Sequence, residues 1–82
     1  MSEEELIKII GQNIKKYREH YSKTKEIMTI EQLSKLTNLS ANHIANLEKQ
    51  NTSISISINT LYKISIVLNV PLNKFLEKDN DK

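Results

Sequence analysis

Apolar residues recur every three to four positions through the first quarter of the chain, a pattern that predicts an amphipathic helix. Ser2 and Glu5 have the S-x-x-E spacing of a capping box, which satisfies backbone N–H groups at the start of a helix. The three glutamates Glu3 to Glu5 suit the positive end of the helix dipole. The predicted first helix therefore begins after Ser2, and its apolar stripe consists of Leu6, Ile10, Ile14, Tyr17 and Tyr21.

Similar start signals precede two further short helices. Thr29 and Gln32 form a second capping box, which predicts a helix over about 30–37. Ser40 is the expected cap of a third helix over 41–49, whose inward residues are Ile44 and Leu47.

Two more elements follow toward the C-terminus. Ser57 caps a predicted fourth helix, and Pro71 suits the beginning of a fifth turn or helix that holds Leu72, Phe75 and Leu76. The inward residues of the fourth helix are expected to be Ile58, Leu61, Ile64 and Leu68. Five short helices predict an all-α fold, with a single domain over residues 1–78 and a polar, frayed tail at 79–82.

One segment competes with an all-helical interpretation. Residues 52–58 read TSISISI, an alternation that is typical of a strand when it is taken alone. No partner strand is evident, and a lone strand would leave its backbone groups unpaired. We therefore expect an ordered loop over 50–56, whose Ile54 and Ile56 cover the core or a subunit interface.

The charge is distributed unevenly along the 82 residues. The formal net charge is only +2, but residues 6–75 hold ten Lys and Arg against four Glu, and the remaining acidic residues lie at the two ends. The excess of positive charge in residues 6–75 fits either a solvated surface or a surface that binds nucleic acid, and charge alone does not distinguish between the two. A small domain buries only about 60% of its unfolded surface, so dimerisation is a natural source of added stability.

Several classes of chemistry are excluded or disfavoured. Cysteine is absent, which excludes disulfides, thiolate metal sites and cysteine nucleophiles. His20 and His43 have no metal-ligand partner at helical spacing, and the single glycine rules out a phosphate-cradling loop. We expect no enzyme activity, metal, cofactor or small-molecule ligand. The acidic N-terminus and the lack of a long apolar run argue against a signal peptide or membrane span, so the default is a cytoplasmic protein.

The second and third helices are separated by a tight turn at Asn38-Leu39, which is a helix-turn-helix layout. Asn38 lies where such turns usually have glycine, and asparagine is the next-best residue at positive φ. From Thr29 the chain reads T-x-x-x-L-S-x-x-x-x-L-S-x-x-x-I-x-x-L-E. Together with IGQNIKKYRE before it and INTLYKISIVLNVPLNKFL after it, this resembles the lambda-repressor-like, Xre/Cro-type helix-turn-helix domain over about residues 10–76.

The resemblance implies a role for specific side chains. It matches Arg18 and Glu48 to an ion pair that ties the first helix to the recognition helix, here 41–49. Asparagine can bond adenine through N6 and N7, and alanine methyls can pack on thymine, so A·T-rich half-sites are expected. The base-reading candidates are Ala41, Asn42, His43 and Asn46, although His43 is equally well explained as a surface histidine. The phosphate-contact candidates are Thr29, Lys35, Ser40 and Lys49.

The implied function is a homodimeric regulator, a repressor or autoregulator, that binds a palindromic double-stranded DNA operator. Phage-type repressors and restriction-modification controllers are the models. We expect the chain to hold one DNA-binding domain with a dimer surface at Tyr62, Ile66 and Val70, and no effector domain. The alternative for these three residues is that the helical packing encloses them. The alternative function is a protein-interaction module, antitoxin-like or adaptor, that has lost specific DNA binding.

Three departures from the family pattern bear on that alternative. Ile30 replaces a glutamine that contacts phosphate in many members. The interval from Arg18 to Thr29 is about five residues longer than usual, so it either extends the first helix or forms a basic loop with Lys23 and Lys25 near DNA. The loop after Glu48 is about two residues longer, with Gln50 and Asn51 in place of a glycine-containing turn.

Overall fold

Four α-helices and a short 3-10 helix follow one another in the computed structural model, which describes residues 2–21, 26–49 and 56–78. The elements are α1 (Glu3–Glu19), α2 (Ile30–Thr37), α3 (Ala41–Glu48), α4 (Ile58–Leu68) and the 3-10 helix (Leu72–Leu76). No strand occurs within these described ranges. The all-α prediction is therefore confirmed for them, and the predicted tail at 79–82 lies outside them.

The predicted fifth turn or helix is a 3-10 helix over Leu72–Leu76, so the described residues hold four α-helices and one 3-10 helix, and the five-helix count is matched only in part. The first bond of the 3-10 helix runs from Lys74 N to Pro71 O at 3.0 Å, which is a three-residue spacing. A five-residue segment has room for few four-residue bonds, and proline supplies no N–H of its own, so the tighter helix satisfies more of the backbone.

Side-chain caps begin all four α-helices, as the sequence predicts. Thr29 and Gln32 form a complete capping box: Gln32 N donates to Thr29 Oγ1 at 3.1 Å and Thr29 N donates to Gln32 Oε1 at 2.9 Å. At α1 the Ser2 hydroxyl accepts from Glu5 N at 3.1 Å, whereas the Glu5 carboxylate lies 3.3 Å from Lys78 Nζ. The Ser2 cap is thus confirmed, and the Glu5 side chain contacts the C-terminal segment.

Helix α1 ends at Glu19, with His20 as its C-cap, so the longer segment that follows does not extend it. Met28 N donates to Arg18 O at 3.0 Å, which brings the end of this segment back to α1. The predicted basic loop residues Lys23 and Lys25 lie outside the described residues.

The core is formed where the inward faces of all five elements meet. Tyr17 packs edge-on against Phe75, with ring centroids 5.4 Å apart. Ile56 is half-buried and packs on the core as predicted, whereas Ile54, Gln50 and Asn51 lie outside the described residues. The buried core residues are Ile10, Ile14, Met28, Leu33, Ile44, Leu47, Leu61, Ile64, Leu68 and Phe75.

Ile58 contradicts its predicted inward position, since it is 65% exposed. It is the first residue of α4 and borders an open groove with Ile7 and Leu76 instead of entering the core. The inward positions predicted for Leu61, Ile64 and Leu68 are confirmed, because all three are buried. The spacing of apolar residues within a helix does not show how far the neighbouring elements extend along it.

Asn13 fastens the 3-10 helix to α1 from a buried position. Its Nδ2 donates to the carbonyl oxygens of Phe75 at 2.8 Å, Glu77 at 2.9 Å and Lys74 at 3.3 Å. A helix end leaves carbonyls without partners, and this side chain supplies donors for them. The C-terminal element is thereby held in place by one amide.

Helix α1 packs on α3 and on the 3-10 helix, while α2 packs on α3 and α4. Helix α3 is therefore supported by α1 and α2, and Asn42 on its opposite side is exposed. No helix in the described ranges has the length and apolar character needed to cross a membrane. Among the same residues, no three His, Asp or Glu side chains are grouped as ligands of a metal ion.

Candidate nucleic-acid interface

The turn between α2 and α3 is held by its own side chains. Asn38 adopts the left-handed conformation, with φ 61° and ψ 29°, as its place in the turn predicts. The Thr37 hydroxyl donates to Leu33 O at 2.7 Å and accepts from Leu39 N at 3.3 Å. The Ser34 hydroxyl donates to Leu39 O across the turn. These bonds fix the angle at which α3 leaves α2.

Helix α3 presents one apolar and one polar face. Ile44 and Leu47 are buried in the core, and the Ser40 hydroxyl caps the helix by accepting from His43 N at 2.9 Å. Asn42 and Asn46 are one turn apart, so helical geometry places them on the same side, opposite Ile44 and Leu47. Asn42 is exposed and Asn46 is half-buried.

The other two predicted base-reading residues flank this polar face. Ala41 and His43 are both half-buried, and they lie toward opposite edges of the helix from Asn42. Lys49 is exposed at the C-cap, seven residues after Asn42, and so extends the polar face by one turn. The structure thus brings Asn42, Asn46 and Lys49 together on one surface and leaves Ala41 and His43 at its borders.

Arg18 and Glu48 join α1 to the end of α3. The guanidinium donates through Nε to Glu48 Oε2 at 2.7 Å and through Nη2 to Glu48 Oε1 at 2.8 Å. Both side chains are almost completely buried, at 9% and 6% exposure. A buried bidentate ion pair fixes the orientation of the two side chains as well as the distance between them.

Arg18 also binds a third element. Its Nη1 donates to Met28 O at 2.7 Å, next to the cap of α2. The hydrogen bonds with Glu48 raise the pKa of Arg18 above its ordinary value, against the opposing effect of burial. The guanidinium therefore stays charged and holds α1, the start of α2 and the end of α3 in one arrangement.

The predicted phosphate contacts are more scattered than the predicted base contacts. Thr29 and Ser40 are exposed, and each is the cap of a helix whose first N–H groups attract anions. Lys35 is exposed on α2 and lines a cleft with Tyr21 and Ile27, and no described residue of α3 shares that cleft. The Lys35 side chain therefore borders this cleft, and its phosphate contact stays a prediction.

Ile30 occupies the first position of α2 and packs against the core. Its apolar side chain has no group that could donate to a phosphate oxygen. Of the proposed dimer residues, Tyr62 and Ile66 are 56% and 60% exposed, so the packing does not enclose them. Val70 is half-buried and packs on the core.

Three contributors to this geometry were not identified from the sequence. The Met28 carbonyl and the Ser34 hydroxyl carry no pattern that marks them, because one is a backbone group and the other is an ordinary polar helix residue. Asn13 did carry a signal: it lies three residues after Ile10 and beside Ile14, which puts an amide in the middle of the apolar stripe. A polar residue at such a position indicates a buried hydrogen bond.

Comparison with known proteins agrees with this geometry. A family model described as Helix-turn-helix matches residues 14–75, which include α2, the turn, α3 and α4. No curated protein and no solved structure matches the chain. The matched segment covers well over half of the 82 residues, and the chain therefore belongs to the Xre/lambda-repressor-like helix-turn-helix family of DNA-binding regulators.

Proposed function

We propose that the protein is a sequence-specific transcriptional regulator that binds a palindromic operator as a homodimer and places α3 in the major groove. The observation that carries the proposal is the polar face of α3, with Asn42, Asn46 and Lys49 on one surface of a helix held by a buried ion pair. A helix of this width enters the major groove of B-DNA, where base edges are distinguishable. Repression, including repression of its own operon as in phage-type repressors or restriction-modification controllers, is the proposed outcome, in the cytoplasm.

The chemistry of the surface favours adenine and thymine. Lys49 is the only Lys or Arg between residues 40 and 49, so no arginine is available for the usual bidentate contact with guanine. Asn42 and Asn46 suit adenine N6 and N7. We therefore propose A·T-rich half-sites, with Ala41 and His43 as peripheral contacts.

The proposed phosphate contacts are the capped starts of α2 and α3, at Thr29 and Ser40, together with Lys49. Lys35, which is exposed on α2, is a further proposed contact. Each lysine that neutralises a phosphate releases counterions, so binding should fall steeply with salt. The dimer surface proposed here is Tyr62 and Ile66, with Val70 at its edge.

A second candidate function is a protein-interaction module, antitoxin-like or adaptor, without specific DNA binding. The observation in its favour is Ile30, whose side chain packs on the core where many family members use a phosphate-binding glutamine. The scarcity of cations on α3 points the same way.

Binding to the DNA upstream of the protein's own gene separates the two candidates. We expect a retarded complex that forms in preference to random DNA and is lost as salt rises. Asn42→Ala and Asn46→Ala should each weaken the specific complex by about 1–3 kcal/mol, while Asn59→Ala, a matched exposed asparagine on α4, should not. Lys49→Ala should lower the slope of log K against log salt by about 1. Retardation no greater than that of random DNA would exclude the proposed regulator and favour the interaction module.

A further inference from the structure

Three large apolar side chains form an exposed stripe along α4. Ile58, Tyr62 and Ile66 follow at intervals of four residues, so they lie on one ridge of the helix. They are 65%, 56% and 60% exposed. A contiguous apolar surface of this kind on a small domain usually marks a site of association.

The carboxylate of Glu3 borders one side of the stripe. A groove of about 460 Å³ opens beside Ile58, between α4, the start of α1 and the 3-10 helix, and Leu76 contributes to its wall. Glu3 is the only charged residue among the described residues that line this groove. Glu4 is exposed next to it on the first turn of α1.

The opposite side of the stripe is basic. A second cleft, of about 320 Å³, lies between α4 and the end of α2 and is lined by Leu36, Tyr62 and Ile66. Lys63 is the only charged residue among its described lining residues, and it is exposed. The described part of α4 contains no carboxylate that would neutralise it. The stripe therefore runs between a carboxylate on one flank and an ammonium on the other.

We infer that this stripe packs against the same stripe of a second copy, with the two α4 helices running in the same direction about a twofold axis parallel to them. The inference rests on the homodimer of the proposed function and specifies its geometry. A parallel twofold axis brings each flank against the opposite flank of the other copy, so the flank that holds Glu3 faces the flank that holds Lys63 of the partner subunit, twice. An antiparallel pair would set carboxylate against carboxylate and ammonium against ammonium. Charge complementarity thus selects both the occupant and the orientation.

This arrangement changes the membership of the interface. Ile58 joins Tyr62 and Ile66, while Val70, which packs on the core of its own subunit, stays at the edge of the interface. The apolar part of the Lys63 side chain can cover the opening of the partner subunit's groove, while its ammonium extends toward Glu3 of the partner subunit.

Charge reversal tests the inference on the full chain, with the dimer dissociation constant measured by sedimentation equilibrium. Glu3→Lys and Lys63→Glu should each weaken the dimer about tenfold, because each places like charges together at two symmetric positions. The double variant should restore the wild-type constant. Lys15→Glu, an exposed lysine on the later part of α1, is the matched control and should have no effect.

The possible failures are distinguishable. A wild-type dimer that responds to neither reversal, or a double variant that stays weak, would overturn this interface while leaving a dimeric regulator in place. A wild-type chain that stays monomeric at all concentrations would contradict the dimer of the proposed function itself. Capture of a different protein on the stripe of such a monomer would overturn the second copy as its occupant.

Discussion

Arg18 is the residue on which the geometry of the candidate interface most depends. Its guanidinium donates to Glu48 at the end of α3 and to the Met28 carbonyl before α2. The backbone carbonyl of Arg18 accepts a hydrogen bond from Met28 N. Since both charged side chains are withdrawn from water, each depends on the other for compensation. Removal of one partner from a buried pair costs far more than the net contribution of the pair.

We expect Glu48→Gln to lower the free energy of unfolding by about 3–5 kcal/mol, because it leaves the buried guanidinium without its counter-charge. Urea denaturation measures the change. Glu19→Gln is the control: Glu19 lies 4.0 Å from the same guanidinium but is 39% exposed, so its loss should cost less than about 1 kcal/mol. Similar costs for the two variants would show that the Glu48 pair has no special role.

The pH dependence of this pair has a definite sign on the arginine side. The raised pKa of Arg18 means that its contribution to stability is fully present below the ordinary pKa of arginine. It is lost only as the pH rises through the folded-state value, so the guanidinium remains a fixed anchor under all ordinary conditions.

At the scale of the elements, α2 and α4 end in the same way. Asn38 and Asn69 both adopt the left-handed conformation, with φ of 61° and 60°, and they are the only non-glycine residues with positive φ in the described ranges. The left-handed region is costly for most side chains, and asparagine tolerates it better than others. The chain thus uses asparagine twice where many helices end in glycine.

Substitution at Asn38 should separate backbone conformation from side-chain chemistry. We expect Asn38→Gly to leave the stability nearly unchanged and Asn38→Ala to lower it by about 1–2 kcal/mol, because alanine resists the left-handed conformation. Thermal unfolding of both variants, with Asn69→Ala as a matched residue outside the turn, measures this. An Asn38→Ala protein as stable as the wild type would show that the turn does not require this conformation.

The sequence was most informative where structure is local. The caps at Thr29, Ser40 and Ser57 were predictable because a side chain there bonds a backbone group three residues away. The type of the last helix was not, because its apolar spacing fits either kind of helix, whereas the 3-10 form follows from its short length and from the proline before it. The exposure of Ile58 depends on where neighbouring elements end.

In the candidate site, too, features within one helix were predictable and contacts between elements were not. The shared face of Asn42 and Asn46 follows from helical spacing alone. By contrast, the bond from Arg18 to the Met28 carbonyl depends on how separate elements pack. The spacing of residues within one helix does not contain that information.

At the scale of the whole molecule, the apolar stripe on α4 is the basis of the proposed dimer. We expect Ile66→Glu to yield monomers, since each copy would place a charge in an otherwise apolar contact. Light scattering measures the mass. Ile27→Glu is the control, because Ile27 is 65% exposed, similar to Ile66, but lies before α2 in a cleft lined by no described residue of α4. An unchanged dimer mass for Ile66→Glu would disprove an interface on α4.

The most direct test of the central claim, that α3 reads bases in the major groove, is the affinity for operators in which single adenines are replaced by 7-deazaadenine. This base pairs normally but lacks the N7 acceptor that a bidentate asparagine needs. We expect at least one adenine in each half-site where the replacement weakens wild-type binding but leaves the Asn42→Ala or Asn46→Ala variant unaffected. Equal losses in wild type and both variants at every adenine, or no loss at any, would contradict base reading by α3.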